Sequence, residues 1–313
     1  MSGSLLAYVV RRLVWTIPVV LLVIFLTFVL MRQIEGNPFR TSERAVPESI
    51  QRNLERKYGL NDPWYVQYAM YTKGVLTFDL GPSLVLRQRT VNEIVKEHFP
   101  RSLELGGLAF LFAAVFGIPL GILAALRPNS WLDYGAMFFS NVGFAVPSFL
   151  IATLFIYYFV VQWDVGFPTS GWTNWESKVL PVVALGLAPA AYFARLVRGT
   201  MLETAQQDYI RTAQAKGLRR RRIVGLHVLR NSLIPVVTAA GPLLGYLITG
   251  SFVIEEIFAI PGIGRYYVTA VTARDYSVVM GLTVLLSVIV ILANLVVDIL
   301  YAVLDPRTRE ARA

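Results

Sequence analysis

Long apolar runs separated by short polar segments are the main pattern of this chain. Five runs contain no Asp, Glu, Lys or Arg and reach the roughly 17–25 residues that a bilayer-spanning helix needs. They are residues 13–31, 105–126, 134–163, 231–254 and 276–297. A sixth run, 179–194, is shorter and spans if Lys178 and Arg195 extend their charged ends to the two interfaces. Because a spanning segment must satisfy its own backbone hydrogen bonds, the pattern predicts an all-α integral membrane protein with six transmembrane helices.

The same pattern divides the chain into regions. We predict an N-terminal transmembrane helix over 1–31 and a small helical insert outside the membrane over 32–100. A five-helix transmembrane domain follows over 101–306, with a polar inner loop at 199–230, and a short tail over 307–313. Several prolines fall within or at the ends of the spans, and each removes one backbone donor. Ordinary bending and functional hinges remain open as their roles.

The insert carries local signals for three helices. A capping-box spacing from Thr90 to Glu93 indicates where the third helix begins. Glycine after an apolar stripe and proline in a first turn mark other boundaries. The predicted helices follow Pro47 up to Gly59, run from Asp62-Pro63 to Gly74, and run from Thr90 to Pro100. Contact with an external partner, a lid and simple packing all remain open as roles of this insert.

Composition supports a membrane and excludes several kinds of chemistry. The chain is 55% hydrophobic and only 16% charged, against roughly 25% charged residues in soluble domains. It has no cysteine, which excludes disulfides, thiolate metal sites and cysteine nucleophiles. Its two histidines, His98 and His227, are far apart, so no metal site is predicted.

The distribution of basic residues predicts the orientation. With the N-terminus inside, the inner segments hold fifteen Lys and Arg residues and the short outer loops hold three. The long segment 32–100 is left out of this comparison because long loops largely escape the positive-inside rule. Both termini are therefore predicted to be cytoplasmic, and the net charge of +9 reflects basic inner loops.

The inner loop contains a candidate docking element. Tyr209, Ile210 and Ala213 recur at helical spacing, and Gly217 follows Lys216, which is typical of a helix end. A short helix over 208–216 is predicted between two spans. If its apolar side chains face water, a partner protein must cover them.

A run of four arginines, 219–222, also fits nucleic acid binding. Anionic lipid or protein docking explains the run equally directly, because each basic residue near a lipid surface contributes about 1 kcal/mol. No aromatic platform or nucleic-acid-binding motif accompanies the run, so lipid or protein is favoured.

Around this loop the sequence resembles a known family. DYIRTAQAKG, ending at Gly217, resembles the coupling-loop motif of type I ABC-importer permeases, and HVLRNSLIPVVT resembles their dipeptide/oligopeptide branch. Further segments resemble that branch in the same order from about residue 8 to 309. They are YGLNDPWYVQY (58–68), FDLGPS (78–83), FPTSG (167–171), LPVVALGLAPAAYFARLVRGTMLE (180–203), EEIFAIPGIGRY (255–266), RDYSVVMG (274–281) and NLVVDILYAVLDPR (294–307).

Three departures, one from the general coupling motif that the peptide branch permits and two from the branch itself, concern detail rather than class. His227 to Arg230 stands where the general motif has Ile-x-Leu-Pro. Gln214 stands where the branch often has Arg, and Thr269 where it often has Asp.

The resemblance implies a permease subunit of an ATP-driven importer of di- or oligopeptides in the bacterial cytoplasmic membrane. It implies two cytoplasmic ATPases that carry ATP and Mg, a second homologous permease, and an extracytoplasmic peptide-binding protein. This chain is expected to bind no cofactor and to hold no ATPase site, because it contains no G-x-x-x-x-G-K-[ST] phosphate loop. The residues implied for ATPase coupling are Tyr209, Ile210, Arg211, Thr212, Ala213, Ala215, Lys216 and Gly217.

Polar residues inside the spans are candidates for the transport pathway, because such groups are costly in lipid. Asn141 and Asn294 can line a pathway or join neighbouring helices. The connection after the fifth predicted span can form a gate or a compact outer turn, and its candidate residues are Glu255, Pro261, Gly262 and Gly264.

Other function classes remain as rivals. A membrane enzyme needs a cluster of ionisable residues near one interface, and none is evident in the sequence. A passive channel has no need of a basic docking loop. Within the importer class, nickel, glutathione or an oligosaccharide can replace peptide as the substrate.

Overall fold

The computed structural model describes residues 2–33, 40–41, 44–45, 59, 61–86, 89–249 and 252–304. These residues are almost entirely helical, as the sequence predicts. The helices are α1 (Ser2–Gln33), α2 (Trp64–Leu76), α3 (Val91–Leu126), α4 (Trp131–Ala145), α5 (Ser148–Phe155), α6 (Glu176–Ala205), α7 (Asp208–Ala215), α8 (Arg220–Arg222), α9 (Arg230–Thr249), α10 (Phe252–Ile257), α11 (Ile263–Ala273) and α12 (Tyr276–Leu304). Two π-helical segments, π1 (Ile156–Gln162) and π2 (Ile223–Leu229), and a pair of two-residue antiparallel strands, β1 (Arg40–Thr41) and β2 (Arg44–Ala45), complete the described elements.

The long apolar helices match the predicted spans in number. Five helical stretches are long and apolar enough to cross a membrane: Leu13–Gln33, Val91–Leu126, Glu176–Ala205, Arg220–Ile257 and Tyr276–Val297. The bent pair formed by α4 and the α5–π1 stretch makes a sixth if it is counted as one span. Six spans are therefore confirmed in this sense. The short run 179–194 lies in the first two thirds of a 30-residue helix, α6.

The third predicted span is broken in the middle, at one of the prolines for which bending and a hinge were left open. A bend of 99° separates Trp131–Ala145 from Ser148–Gln162. Val146 has an extended backbone, with ψ of 124°, and Pro147 starts the next helix. Proline disfavours the helical conformation in the residue before it, and this explains why the break falls at this point.

Pro100 does not end a helix, contrary to the prediction. The capping box is present, since Thr90 Oγ1 accepts from the Glu93 amide and the Glu93 carboxylate accepts from the Thr90 amide. From there α3 runs through Pro100 and Pro119 for 36 residues. One face stays buried on both sides of Pro100, and the Arg101 guanidinium donates to the Glu97 carbonyl in that turn. Packing therefore outweighs the lost donor, and the boundary drawn between 100 and 101 falls inside one helix.

The remaining insert predictions have mixed outcomes. The helix expected after Pro47 lies outside the described residues, although Gly59 has the positive φ, +63°, expected of a helix-ending glycine. Helix α2 begins at Trp64, after Pro63 rather than at it, and continues two residues past Gly74 to Leu76. Gly74 instead allows a close approach, because a Cβ built there would lie 2.6 Å from the Asp79 carbonyl oxygen.

The most extensive helix pairing is between α3 and α6. A Cβ built on Gly117 would lie 2.9 Å from the Ala190 Cα, and one built on Gly121 would lie 2.9 Å from the Val197 Cβ. On α6, a Cβ at Gly186 would lie 2.8 Å from the Ala109 carbonyl oxygen. Small residues at four-residue spacing let helix backbones approach closely inside a membrane, where van der Waals packing drives association.

Polar contacts join the same two helices at one end. The Lys178 ammonium lies 2.5 Å from the Glu104 carboxylate, whose second oxygen accepts from the Trp172 indole at 2.8 Å. The short-span interpretation expected Lys178 to extend its charged end to an interface, and the structure shows that this end has partners within the chain. It is held between Glu104 and the Trp172 ring, 5.3 Å from the ring centroid.

The α3–α6 contact predicts that Gly117→Ala destabilises the fold. The added methyl group meets the backbone of Ala190, and overpacking of this kind costs about 1–3 kcal/mol. Thermal unfolding in detergent should show a lower midpoint. Gly107→Ala on the same helix is the control, because no atom lies within 4 Å of its Cβ position and alanine favours a helix. Equal midpoints for both variants would contradict the proposed contact.

Candidate functional site

The short helix predicted in the inner loop is present as α7. It spans Asp208–Ala215, with Gln207 in an extended conformation before it and Lys216 as its C-cap. Gly217 has φ +77°, a conformation that side-chain-bearing residues rarely adopt, and its amide donates to the Gln214 carbonyl at 2.9 Å. The predicted boundaries and the role of Gly217 in the turn are confirmed.

The apolar face of α7 does not face water, contrary to the prediction. Ile210 is 1% exposed and Ala213 is 8% exposed. They pack in one cluster with residues of α6 and π2, among them Val197, Met201 and Val228. The face is covered by the chain itself, because the loop returns over α7 before it enters α9. Ile210 and Ala213 therefore anchor the helix rather than offer a docking surface.

The outer face of α7 remains uncovered. Its exposed residues among the coupling candidates are Tyr209, Arg211, Thr212, Ala215, Lys216 and Gly217. Arg211 and Asp208 form an exposed ion pair at 3.5 Å, a kind of contact that contributes little stability. This face is short and partly basic, and the helix behind it is fixed to the core through Ile210 and Ala213.

Hydrogen bonds tie α7 and α6 to the start of α9. The Asn231 amide nitrogen donates to the Tyr209 hydroxyl at 2.9 Å. The Thr200 hydroxyl is 2.9 Å from the Ser232 carbonyl, to which it donates. A displacement of α7 therefore acts on two long helices at once. Behind α7 lies a cavity of about 360 Å³, lined in part by Ile210, Gln214 and Arg220.

An ion pair between a buried carboxylate and a partly exposed arginine, which the sequence did not reveal, lies near the same end of α6. The Arg198 Nε is 2.5 Å from Asp133 Oδ1, and Nη2 is 2.7 Å from Oδ2. Asp133 is 1% exposed and also accepts from the Asn129 amide at 3.0 Å. The bidentate geometry joins α4 to α6. Asp133 directly precedes the predicted span 134–163, and Arg198 lies four residues after the run 179–194. Their opposite charges were the only sign in the sequence that the two could pair.

Arg195 has a different environment, one helical turn from Arg198. Its guanidinium carbon lies 4.2 Å from the centroid of the Phe144 ring, and Nη1 lies 3.4 Å from Asn141 Oδ1. Among the described residues it forms no ion pair. Asn141, a predicted pathway residue, therefore contacts an arginine of α6.

The four candidates of the α10–α11 connection come together in one packed turn. Glu255 is fully buried, and its carboxylate accepts from the Gly264 amide at 2.8 Å. A Cβ at Gly262 would lie 2.5 Å from the Ser102 hydroxyl, so glycine is needed for this approach. His98 Nδ1 donates to the Pro261 carbonyl at 3.0 Å. These contacts hold the turn against α3, and a gating role stays a prediction.

Asn294, the remaining pathway candidate, lies neither beside Arg195 nor in the α10–α11 turn. It lies partly buried on α12, next to Ala293, whose carbonyl oxygen would be 3.0 Å from a Cβ built on Gly241 of α9. This placement fits a contact between helices as well as a pathway.

Two of the segments that carry the resemblance meet in space. Asp275 is 2% exposed and accepts from the Ser83 hydroxyl and from the Leu84 and Val85 amides, the latter two at 3.1 and 3.2 Å. The loop after α2 is thereby fixed to the start of α12. Nearby is a cavity of about 190 Å³ that Thr269 helps to line.

No cluster of three or more His, Cys, Asp or Glu residues suited to a metal ion occurs in the part of the chain that the structure describes. His98 lies on α3 and His227 on π2, so the two histidines belong to different regions.

Comparison with protein families gives two matches that together cover most of the chain. Residues 117–310 match the binding-protein-dependent transport system inner membrane component. Residues 5–105 match the N-terminal region of such membrane components.

Individual relatives match over nearly their full length. The dipeptide transport system permease protein of Bacillus subtilis (strain 168) is 47% identical over 96% of this chain and 97% of that protein. Oligopeptide transport system permease proteins of Haemophilus influenzae and Salmonella typhimurium are 42% and 43% identical, each over 97% of this chain and 100% of the relative.

Solved structures share the fold at lower identity. A methionine ABC transporter in an inward-facing conformation gives a TM-score of 0.55 at 21% identity, covering 68% of this chain and 96% of that chain. A chain of an amino acid ABC transporter gives 0.51 at 17% identity, covering 69% and 94%. The predicted type I importer-permease fold is thereby confirmed.

The Asp133–Arg198 geometry predicts that Arg198→Gln is strongly destabilising. It leaves a buried carboxylate uncompensated, which costs about 3–5 kcal/mol. The double variant Asp133→Asn/Arg198→Gln removes both charges and should regain part of the thermal midpoint measured in detergent. A double variant that is no more stable than Arg198→Gln would contradict this pairing.

Proposed function

The chain belongs to the family of inner membrane components of binding-protein-dependent transport systems, and we propose that it is the permease subunit of an ATP-driven importer of dipeptides or oligopeptides. Support for the peptide comes from relatives at 42–47% identity that are dipeptide and oligopeptide permeases over nearly their full length. Nickel, glutathione or an oligosaccharide as the substrate has no comparable support.

The observation that carries the proposal is the construction of α7. A helix of eight residues is anchored through Ile210 and Ala213 in the core beneath it, while Thr212 and Ala215 stay exposed on its other side. Cytoplasmic ATPases would receive the exposed face, and the anchored face would pass their movement to α6 and α9. A passive channel or a membrane enzyme does not need such an element.

The proposed roles of the coupling residues follow from their burial. Arg211, Thr212, Ala215 and Lys216 contact the ATPase, and Gly217 provides the turn after the helix. Ile210 and Ala213 hold α7 to the bundle, and the Tyr209 hydroxyl links it to Asn231. This refines the set from the sequence, where the eight residues were named together for ATPase coupling and only Gly217 had a separate role, in the turn after the helix.

Transport would proceed by alternating access between discrete packings of the helices. ATP and Mg are bound by two partner ATPases, and a second homologous permease completes the pathway. An extracytoplasmic binding protein delivers peptide. The proposed location is the bacterial cytoplasmic membrane, with both termini in the cytoplasm.

The orientation leads to a test with two exposed threonines. The chain has no cysteine, so Thr212→Cys on α7 and Thr269→Cys on α11 each provide a single labelling site. A membrane-impermeant maleimide should label Thr269→Cys in cells whose outer layers admit it, and Thr212→Cys only after the cytoplasmic membrane is opened. Labelling of Thr212→Cys from outside would overturn the coupling role, because no cytoplasmic ATPase could reach α7.

The transport function is tested with the complete complex in proteoliposomes. We expect ATP-dependent uptake of labelled peptide by the wild-type protein. Ala215→Trp should reduce uptake and binding-protein-stimulated ATP hydrolysis about tenfold, since allosteric couplings are typically 1–3 kcal/mol. Its thermal midpoint should not change, because Ala215 is exposed.

Leu226→Trp is the matched control for Ala215→Trp, since Leu226 is 56% exposed in the same cytoplasmic segment. This variant should transport normally. Equal loss in both variants would argue against a specific contact at α7. Absence of peptide uptake by the wild-type complex, with uptake of another substrate, would exclude peptides.

A further inference from the structure

One face of the central helix α6 is left uncovered by the chain. Most of α6 is buried against α3, α4 and α9, but Tyr192 and Gly199 are exposed and Arg195 is only partly buried. Spacings of three and four residues place these positions on one side of the helix. A Cβ built on Gly199 meets no atom within 4 Å. The face is therefore open to whatever passes beside α6.

Arg195 is the charged group of this face, and it lies at the inner end of the predicted span, directly after the apolar run 179–194. With a rise of 1.5 Å per residue, it is about 15 Å from the Ala205 end of α6 and about 28 Å from the Glu176 end. Its neighbour Ala194 packs on Gly121, within the apolar run 105–126. A guanidinium at the border of an apolar span is costly to leave without a partner, and a residue of this kind is a functional candidate for that reason.

The fold compensates the charge of Arg198 but not that of Arg195. Arg198 forms two hydrogen bonds to the buried Asp133 carboxylate. Arg195 has a ring face at 4.2 Å and one amide oxygen at 3.4 Å, and no described carboxylate is paired with it. Both arginines lie on α6, so their environments differ only in the neighbouring side chains. Arg198 faces a carboxylate, whereas Arg195 faces an aromatic ring and an amide.

The groups around Arg195 suit a carboxylate that arrives from outside the chain. A guanidinium binds a carboxylate through two parallel hydrogen bonds. Phe144 stacks on the guanidinium and can fix its plane, and the exposed Asn141 side chain offers a further donor beside it. The exposed Tyr192 ring adjoins this position on α6 with an apolar surface and a hydroxyl.

We propose that Arg195, with Asn141 and Phe144 as positioning residues, binds the carboxylate of the peptide as it moves through the pathway. The inference rests on the proposed function and names the chemistry recognised there. Every unmodified peptide has a C-terminal carboxylate, so one arginine can serve substrates of different sequence. A carboxylate of the second permease is the competing occupant, and the test below distinguishes it.

The test compares Arg195→Gln with the wild-type complex in proteoliposomes, using trialanine and its C-terminal amide as substrates. The wild-type complex should take up trialanine more efficiently than the amide. Arg195→Gln should lower uptake of trialanine about tenfold, as expected for loss of a hydrogen-bonded charge, and leave uptake of the amide nearly unchanged. Arg195→Lys should retain part of the preference.

A second measurement does not depend on how the binding protein treats the amide. A photoreactive amino acid in place of Tyr192 should cross-link to labelled trialanine during turnover, and adding Arg195→Gln should abolish the cross-link. Arg127→Gln is the control, because Arg127 lies exposed in the turn between α3 and α4 and its removal should change neither result.

The outcomes separate the inference from the proposed function. Equal loss of trialanine and amide uptake, or loss of complex assembly, would assign Arg195 to the second permease and overturn the inference. Unchanged trialanine uptake in Arg195→Gln, or no cross-link from position 192, would also overturn it. Only a wild-type complex that transports no peptide would count against the proposed function itself.

Discussion

The close approach of α3 and α6 is the constraint on which the other features depend. Glycine and alanine at this contact bring two backbones together, so that a methyl group added at Gly117 or Gly121 meets atoms of the facing helix. In a membrane the driving force is packing rather than exclusion of water. Glu104 with Lys178 near one end of α6, and Asp133 with Arg198 toward the other, tie this helix to its neighbours. These contacts make α6 the fixed reference of the bundle.

Because α6 is held in place by its neighbours, α7 is attached to a rigid part of the bundle. The two helices are separated by Gln206 and Gln207 alone, and Ile210 belongs to the same core cluster as Val197 and Met201. Packed cores move between discrete arrangements and do not deform continuously. If α7 receives an ATPase as proposed, a push on its exposed side would be transmitted to α6 and, through Asn231, to α9, and would not be absorbed in a flexible loop. If the apolar face of α7 were open to water, as the sequence had suggested, α7 would be less firmly attached to α6 and α9.

Sequence reasoning found the spans because uncharged length is a strong signal in a bilayer. It failed where tertiary packing decided the outcome. Both Pro100 and Pro147 follow an apolar residue, yet α3 continues through the first, whereas the chain turns at the second, and the local sequence does not tell these outcomes apart. The spacing of Ile210 and Ala213 placed them on one face but did not say what covers it. Ion pairs such as Asp133–Arg198 link residues 65 positions apart, and local patterns carry no information about them.

The two arginines of α6 show how one electrostatic rule yields structure in one case and a candidate transport site in the other. A guanidinium in apolar surroundings needs a partner. Arg198 has a permanent one, which fixes α4 to α6. A permanent partner at Arg195 would make it equally structural and leave nothing for a substrate to gain. Transport requires binding that is favourable enough to admit the cargo and weak enough to release it. A guanidinium supported only by Phe144 and Asn141 meets that requirement, since its charge is compensated best while a carboxylate is passing.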